Sequence, residues 1–324
     1  MDHSSLVTLF RRIILAGPPL LLGTGVNVGC ASNGCPAPDT TQMVGLIQTD
    51  AGFIYDAGLD DLIARCQASS SDCMPLCEHF AYRPLEIKSC KLVKAPGGAL
   101  TVSIVETTPC GGRCPEGLAP PASVGAPDPL GAWLAANAHL EAASIDAFEI
   151  LATELGAHRA PRMLTEAANA ATADERRHAE AIGRLAVHRG AVPPAAYVKR
   201  GPVRDIEAVA RENAVEGCVR ETYAALLASR QARAATDPLI RSAMAGIARD
   251  ETRHAALAWE VDRWSQALLS PAAQRRVREA RREAIEGLLT TPLAGLPPDH
   301  CAQAGLPGEE AAVQMACELG EALV

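Results

Sequence analysis

Apolar residues recur at helical spacing along most of the second half of the chain. This pattern predicts four long helices and a shorter, Arg- and Glu-rich fifth helix, at 131–155, 161–188, 205–233, 238–268 and 271–289. Thr236 and Asp237 followed by Pro238 form a good helix start. Only a few residues separate the first helix from the second, and the third from the fourth. The pattern therefore predicts two antiparallel hairpins.

The connection between the two hairpins is long and rich in proline. Residues 190–204 contain Pro193, Pro194 and Pro202, which disfavour a helix. Fifteen extended residues reach about 45–50 Å, and a 28-residue helix is about 42 Å long. The connection can therefore run the length of a helix. We expect a mainly α fold, a four-helix bundle with one long crossover.

One short motif occurs twice and points to metal chemistry. The sequence DERRH at 174–178 recurs as DETRH at 250–254. In each copy the Glu and the His are three residues apart. On a helix both side chains then leave the same face and can bind one metal ion.

The other two long helices each carry a glutamate at the matching place. The interval from Glu141 to Glu175 is nearly equal to the interval from Glu216 to Glu251. Both lie in apolar stripes, where an unpaired carboxylate is costly to bury. The alternative is an ordinary amphipathic bundle with these side chains on its solvated edge. Six residues in register favour a paired metal site, formed by Glu141, Glu175, His178, Glu216, Glu251 and His254.

With these motifs, residues 130–268 resemble the ferritin-like di-iron carboxylate superfamily, which includes rubrerythrins, bacterioferritins and carboxylate-bridged oxygenases. The DExRH motif is similar to the helix signature of bacterial di-iron monooxygenases. The stretches EAASIDAF at 141–148 and ENAVEGCVRETY at 212–223 resemble ferritin-like proteins of myxobacteria, which are often exported. The resemblance covers under half of the chain and implies a fold and a metal more firmly than a reaction.

The resemblance implies a metal-binding role for each of the six residues. Glu141, Glu175 and His178 would bind one metal ion. Glu216, Glu251 and His254 would bind the other, with one Glu of each motif bridging the two ions. Glu212, one turn before Glu216, is either a spare ligand or a solvent-facing side chain.

The resemblance also implies supporting residues around the ligands. Asp174 and Asp250 would each hydrogen-bond the far ring nitrogen of a ligating His. Arg177 and Arg253 would pair with these carboxylates; the alternative is an ordinary surface ion pair. Tyr223 is either a redox relay or a core aromatic residue.

Donor chemistry and charge narrow the functional classes. Oxygen-rich sites with two His suit iron or manganese, so we expect two Fe or Mn ions per chain. Such a pair can reduce dioxygen or peroxide, which makes an oxidoreductase acting on Fe(II), peroxide or dioxygen the leading hypothesis. The alternative is a non-catalytic metal-binding or scaffold protein. The formal net charge of −8, with no basic stripe, argues against nucleic-acid binding.

The N-terminal sequence predicts export to the bacterial cell envelope. Arg11 and Arg12 precede an apolar run at 13–25 that is too short for a membrane span. Residues 1–29 are therefore expected to be an export signal. Cys30 is a candidate lipid anchor, as in a lipoprotein; without lipid the protein would be periplasmic. The alternative is a cytosolic protein with an apolar start.

Cysteine usage agrees with export. Eight of the eleven cysteines lie between residues 30 and 114, and two more, Cys301 and Cys317, lie in a C-terminal tail at 291–324. Even counts fit disulfides in an oxidising compartment. We expect a small, disulfide-stapled Cys-rich module at 30–119 and a linker at 120–129.

Two details of this module follow from its sequence. Alternating residues at 89–105, around Pro96-Gly97-Gly98, predict a β-hairpin. Cys30 can carry lipid or form a bridge to Cys35, but not both. A zinc site is the alternative to part of the disulfide framework, with the ligands Cys73, Cys77, Cys110 and Cys114.

Overall fold

The chain, analysed as a computed structural model, is mostly helical and divides into two compact units. One unit comprises Met1–Cys35, Cys110–Ala119 and Val124–Val324, and the other comprises Pro36–Pro109 and Pro120–Ser123. The structure describes residues 1–15, 39–46, 48–49, 52–53, 59–69, 73–80, 87–94, 100–107, 113–119, 128–290 and 296–323.

Two helical hairpins form the centre of the larger unit. Helix α4 (Pro129–Ala157) pairs with α5 (Arg162–His188), and α7 (Thr222–Ala234) pairs with α8 (Pro238–Gln266). The short turns make each pair antiparallel. Helix α5 also packs against α8, which joins the two hairpins. Three of the predicted long helices are confirmed to within a few residues.

The predicted helix at 205–233 is not one continuous α-helix. Helix α6 (Ile206–Glu212) is followed by a π-helix (Asn213–Glu221), which leads into α7. In a π-helix each backbone N–H bonds to the carbonyl five residues earlier rather than four. The wider turn shifts every later side chain around the helix axis, which matters for the functional site.

The predicted helix start and the extended connection are both confirmed. The Asp237 carboxylate accepts hydrogen bonds from the backbone N–H groups of Leu239 and Ile240, at 2.8 and 3.2 Å. It thereby caps α8, whose first residue is Pro238. Residues 189–205 contain no helix.

The segment expected to be a C-terminal tail is folded. Helix α9 (Pro271–Thr290) confirms the predicted fifth helix. Two further helices follow it, α10 (Pro298–Ala304) and α11 (Glu309–Leu323), and α11 packs against α9. The Cys301 thiol lies 3.5 Å from the carbonyl oxygen of Leu296 and is not in a disulfide, which differs from the expected pairing in this segment.

The described part of the N-terminal segment is helical. Helix α1 (His3–Leu15) packs against α7, α8 and α11. Its Leu6 and Phe10 are buried in an apolar cluster with Leu226 and Trp259. The apolar residues of α1 recur at helical spacing, which suits packing on a folded surface. Most of the predicted apolar run at 13–25 lies outside the described residues, so the export signal stays a prediction. Residues 16–38, including Cys30 and Cys35, lie outside the described residues.

The smaller unit contains an antiparallel sheet with two helices. Its strands β1 (Asp39–Leu46), β4 (Ile87–Lys94) and β5 (Leu100–Thr107) lie in the order β1-β5-β4. Strands β4 and β5 pair antiparallel, which confirms the predicted hairpin, although its turn lies outside the described residues. Two short strands, β2 (Gln48–Thr49) and β3 (Gly52–Phe53), also pair with each other. The two helices of the unit are α2 (Leu59–Ala68) and α3 (Met74–Phe80).

Disulfides stabilise the smaller unit. Bridges link Cys66 to Cys73 and Cys77 to Cys90. Cys73 and Cys77 are therefore not free to bind zinc, and that alternative is wrong. Cys114 is also disulfide-bonded, whereas Cys110 and most of the expected linker lie outside the described residues. Disulfides are typical of compartments outside the cytoplasm. Among the described helices, none has the length and apolarity needed to cross a bilayer.

The packing of α1 predicts a large effect of one buried side chain. The Phe10→Ala protein should lose about 3–5 kcal/mol of unfolding free energy, because a buried aromatic ring leaves a cavity. The exposed control Arg12→Ala should change it by less than about 0.5 kcal/mol. Urea titration gives both values. Unchanged stability for Phe10→Ala, with a mature mass lacking residues 1–29, would instead support a cleaved export signal.

Candidate metal centre

The repeated DExRH motif brings four ionisable side chains into the core. Helix α5 contributes Glu175 and His178, and α8 contributes Glu251 and His254. The three-residue spacing places each pair on one helix face, and the two faces meet where α5 packs on α8. All four residues are at most 5% exposed. A buried group of this kind needs compensation, because isolated charges are costly in a core.

The first group of ligand atoms surrounds the ring of His178. Its members are Glu141, Glu175, His178 and Glu251, whose ligand atoms all lie within 4.8 Å of one another. The Nδ1 atom of His178 is 3.1 Å from Glu251 Oε1, 3.5 Å from Glu141 Oε2 and 3.6 Å from Glu175 Oε2. One imidazole nitrogen and three carboxylates therefore converge on one point.

The second group surrounds the ring of His254. Ligand atoms of Glu221, Glu251 and His254 also lie within 4.8 Å of one another. Glu175 approaches this ring as well, with its Oε1 atom 3.0 Å from Nδ1 of His254. Glu175 and Glu251 thus each direct one oxygen toward each histidine. This is the arrangement that two bridging carboxylates would adopt.

The sequence spacing indicated Glu216 as a ligand, but the structure brings Glu221 into the cluster instead. Helix α7 ends at Ala234, and α8 begins at Pro238. Glu221 lies as far before Ala234 in the sequence as Glu251 lies after Pro238, so in an antiparallel hairpin the two glutamates are level with each other. Glu216 is five residues further along, which corresponds to roughly 7 Å of helix. The equal distances from the turn are a sequence signal that could have identified Glu221.

Glu216 and Glu212 have other partners. Glu216 accepts a hydrogen bond from the backbone N–H of Cys114 at 3.1 Å and pairs with Arg220 at 2.6 Å. Glu212 receives two hydrogen bonds from Arg113, at 3.0 and 3.1 Å. Both carboxylates anchor the segment at 113–114 to the start of the π-helix, and neither points into the Glu–His cluster.

The aspartates of the motif bind the histidines crosswise. His178 Nε2 lies 3.2 Å from Asp250, and His254 Nε2 lies 3.2 Å from Asp174. Each aspartate thus holds the far ring nitrogen of the histidine on the opposite helix. As a result, both Nδ1 atoms are turned toward the glutamates.

The arginines of the motif cover this layer from the solvent side. Arg177 and Arg253 each hydrogen-bond both aspartates, so the four residues form a closed network. The arginine side chains are more than half exposed, at 58% and 52%. The network is therefore the outermost layer over the Glu–His cluster on this face.

Two aromatic residues near the cluster differ in their placement. The Phe148 ring lies 4.9 Å from the His254 ring and covers it. Tyr223 packs against the apolar cluster that contains Leu226 and Trp259, and burial raises the pKa of its hydroxyl. This placement fits a core aromatic residue better than a redox relay.

Burial and mutual repulsion set the protonation of the carboxylates. Burial, together with Glu175 and Glu251, raises the pKa of Glu141 to about 8. Burial and the same two neighbours raise the pKa of Glu221 well above its usual range, although His254 and Arg113 oppose the shift. Both side chains therefore hold protons at neutral pH.

Neighbouring charges raise the pKa values of the two histidines and lower those of Glu251 and Asp174. Burial alone would lower the pKa of each histidine, but the surrounding carboxylates raise it, so both rings are protonated at neutral pH. Burial opposes ionisation of Glu251 and Asp174 too, yet hydrogen bonds lower the pKa of both acids. His178 and His254 act on Glu251, and His254 and Arg177 act on Asp174.

Unpaired atoms show that the cluster fits a metal. Nδ1 of His178, Nδ1 of His254 and Oε2 of Glu221 are buried and have no hydrogen-bond partner among the described residues. The two Nδ1 atoms face carboxylate oxygens at 3.0 and 3.1 Å without hydrogen-bond geometry. All three lie in the same cluster, and carboxylate oxygens with two imidazole nitrogens suit iron or manganese. The residues present therefore match a metal centre.

Comparisons of the chain with protein-family models, with curated proteins and with solved structures returned no match. The geometry itself defines the class of site as a buried glutamate–histidine cluster that could hold metal ions.

Metal binding is predicted to release protons. Ligands must be deprotonated to bind a metal, and His178, His254, Glu141 and Glu221 carry protons at neutral pH. Binding of two ions should therefore release about four protons at pH 7, and affinity should fall steeply as the pH is lowered. Calorimetry in buffers of different ionisation enthalpy measures this number. Binding without net proton release would contradict these protonation states.

The ligand role of Glu221 can be separated from that of Glu216. Glu221→Gln should lose one of two bound metal ions, because a neutral amide is a poor ligand for iron or manganese. Glu216→Gln should retain both, since its amide oxygen can still accept the Cys114 hydrogen bond. Elemental analysis of the purified proteins gives the stoichiometry. The reverse result would restore Glu216 as the ligand.

Proposed function

We propose that this protein is a di-metal carboxylate protein with a ferritin-like four-helix bundle, and that it is an oxidoreductase acting on Fe(II), peroxide or dioxygen. The proposed metal is iron, with manganese as the alternative. The observation that carries the proposal is the shared geometry of Glu175 and Glu251. Each presents one oxygen to the unpaired Nδ1 atom of each histidine.

The proposed ligand set divides into two positions. Glu141 and His178 serve the first position, and Glu221 and His254 serve the second. Glu175 and Glu251 bridge the two. Four carboxylates and two neutral imidazoles around two divalent cations leave the centre close to neutral, and a low-dielectric core tolerates this arrangement.

The surrounding aspartates orient the two histidine ligands. Asp174 and Asp250 each accept a hydrogen bond from the Nε2–H of the opposite histidine, so that Nδ1 is the ring atom directed inward and would bind a metal after losing its proton. Bound iron or manganese ions would supply the electrons for reduction of dioxygen or peroxide.

The depth of the cluster supports a small substrate. The aspartate–arginine network separates the histidines from solvent on one face, and Phe148 covers His254 on another. The metal-ligating atoms lie beneath a single layer of side chains. Such a site suits an inorganic substrate better than a large organic one.

We also propose a place and an organisation for the protein. The two disulfides in the smaller unit support a location outside the cytoplasm, in the cell envelope. The Cys-rich module expected at 30–119 is proposed in a shorter form, because residues 110–119 belong to the larger unit. The other proposed domains are a linker at 120–129 and the bundle at 130–290, with α10 and α11 packed on the bundle. The extended connection at 189–205 supports the long crossover.

The proposal predicts two metal ions per chain and a redox reaction. Protein loaded with Fe(II) without oxygen should hold two ions and then oxidise them on exposure to dioxygen or peroxide. Iron stoichiometry and an oxygen electrode measure both steps. Stoichiometric binding with no oxidation would support the non-catalytic metal-binding or scaffold function instead.

Two variants test the division of roles. Glu251→Ala should empty both positions, because it removes a carboxylate shared by the two. Asp174→Ala should weaken binding by roughly 10–100-fold without abolishing it, which is the usual effect of losing a residue that orients a ligating histidine. The exposed variant Arg184→Ala serves as the control.

A further inference from the structure

Arg113 is a buried cation beside the π-helix. Its side chain is 1% exposed, and Nη1 donates to both carboxylate oxygens of Glu212. Nη2 donates to Oδ1 of Asn213 at 2.8 Å. Glu212 precedes the π-helix and Asn213 is its first residue. One guanidinium group therefore fixes the point at which the helix changes from α to π.

The backbone around Arg113 is also held by hydrogen bonds. The Ser144 hydroxyl on α4 donates to the Arg113 carbonyl at 3.1 Å, and the N–H of Cys114 donates to Glu216 at 3.1 Å. Cys114 is also disulfide-bonded. The segment at 113–114 thus connects α4 to the first turn of the π-helix.

Gly217 makes room for this cation in the middle of the π-helix. A Cβ atom at this position would lie 2.4 Å from Nη2 of Arg113 and 2.7 Å from Oδ1 of Asn213. It would also lie 2.7 Å from Cβ of Ala258 on α8. A larger residue at 217 would therefore displace the guanidinium group or open the contact between the π-helix and α8.

The Phe148 ring links the guanidinium group to the proposed second metal position. The Cζ atom of Arg113 lies 5.4 Å from the centre of the Phe148 ring, and that ring lies 4.9 Å from the ring of His254. Glu221 ends the π-helix whose start Arg113 holds.

We propose that Arg113 is a positioning residue that selects the ligand of the second metal position. In an α-helix, Glu216 and Glu221 would point about 140° apart, and the register would determine which one faces the site. Arg113, held against Gly217, keeps the π register. That register turns Glu221 toward Glu251 and His254 and leaves Glu216 bound to the backbone of Cys114. The inference rests on the proposed di-metal function.

The first test compares two arginines in the full-length protein. Arg113→Met should retain the first Co²⁺ ion and weaken the second by at least about 10-fold, as expected when a residue that orients a ligand is lost. Arg189→Met is the matched control. Arg189 pairs with Asp128 and Asp237 at the far end of α5, so its loss should leave two Co²⁺ ions bound. Titration followed by the visible spectrum of Co²⁺ measures both.

The second test separates positioning from general stability. Arg113→Gly supplemented with free guanidinium ion should regain the second Co²⁺ ion and its spectrum, which a merely destabilised protein would not do. Gly217→Ala should weaken the second ion as Arg113→Met does, because its Cβ occupies the place of the guanidinium group. Arg113→Met that binds two Co²⁺ ions with wild-type affinity and spectrum overturns the proposal.

A measurement without metal distinguishes the role of Arg113 in holding the π-helix from the proposed di-metal function. Amide hydrogen exchange of the metal-free proteins should be faster at Asn213–Glu221 in Arg113→Met than in wild type or Arg189→Met. If wild type binds no Co²⁺ but this difference is present, the di-metal function fails while Arg113 still holds the π-helix. Unchanged exchange in this segment shows that Arg113 does not hold the register.

Discussion

The burial of four carboxylates and two imidazoles in one place is the constraint on which the rest of the larger unit depends. Each isolated charge would be costly in a core, and removal of a single partner would leave another charge uncompensated. The helices must therefore meet at one height and with one register. Glu175 and Glu251 meet this requirement together, because each lies within reach of both histidines.

The crosswise aspartates explain why the whole DExRH motif is repeated and not only its Glu and His. Asp174 orients His254, and Asp250 orients His178. Each helix thus supplies ligands for its own position and a support for the other. At the surface, Arg177 and Arg253 likewise each hydrogen-bond the aspartate of the opposite helix. Loss of either aspartate would disturb the partner helix, so the two copies of the motif function as one unit.

Features encoded by nearby residues were predictable from the sequence. Helical period and capping indicated α4, α5 and α8, and the three-residue spacing identified the Glu and His of both motifs. The π-helix depends on distant residues and was not predictable, although the equal distances from the turn between α7 and α8 could have indicated Glu221. The spacing that suggested Glu216 assumes an unbroken α-helix, whereas the π-helix is held by Arg113, which is remote from Glu212 in the sequence.

The two proposed metal positions are chemically unequal, although they arise from a repeated motif. Glu141, on a continuous α-helix, has a side chain that is 17% exposed, whereas Glu221, at the end of the π-helix, is 1% exposed. A carboxylate in contact with water exchanges protons and ligands more readily than one enclosed by protein. Glu141 is therefore the outer glutamate that solvent reaches, whereas Glu221 and His254 lie enclosed against the core. The repeated motif therefore contributes to two positions that differ in exposure, and only the less exposed one lies at the end of a π-helix.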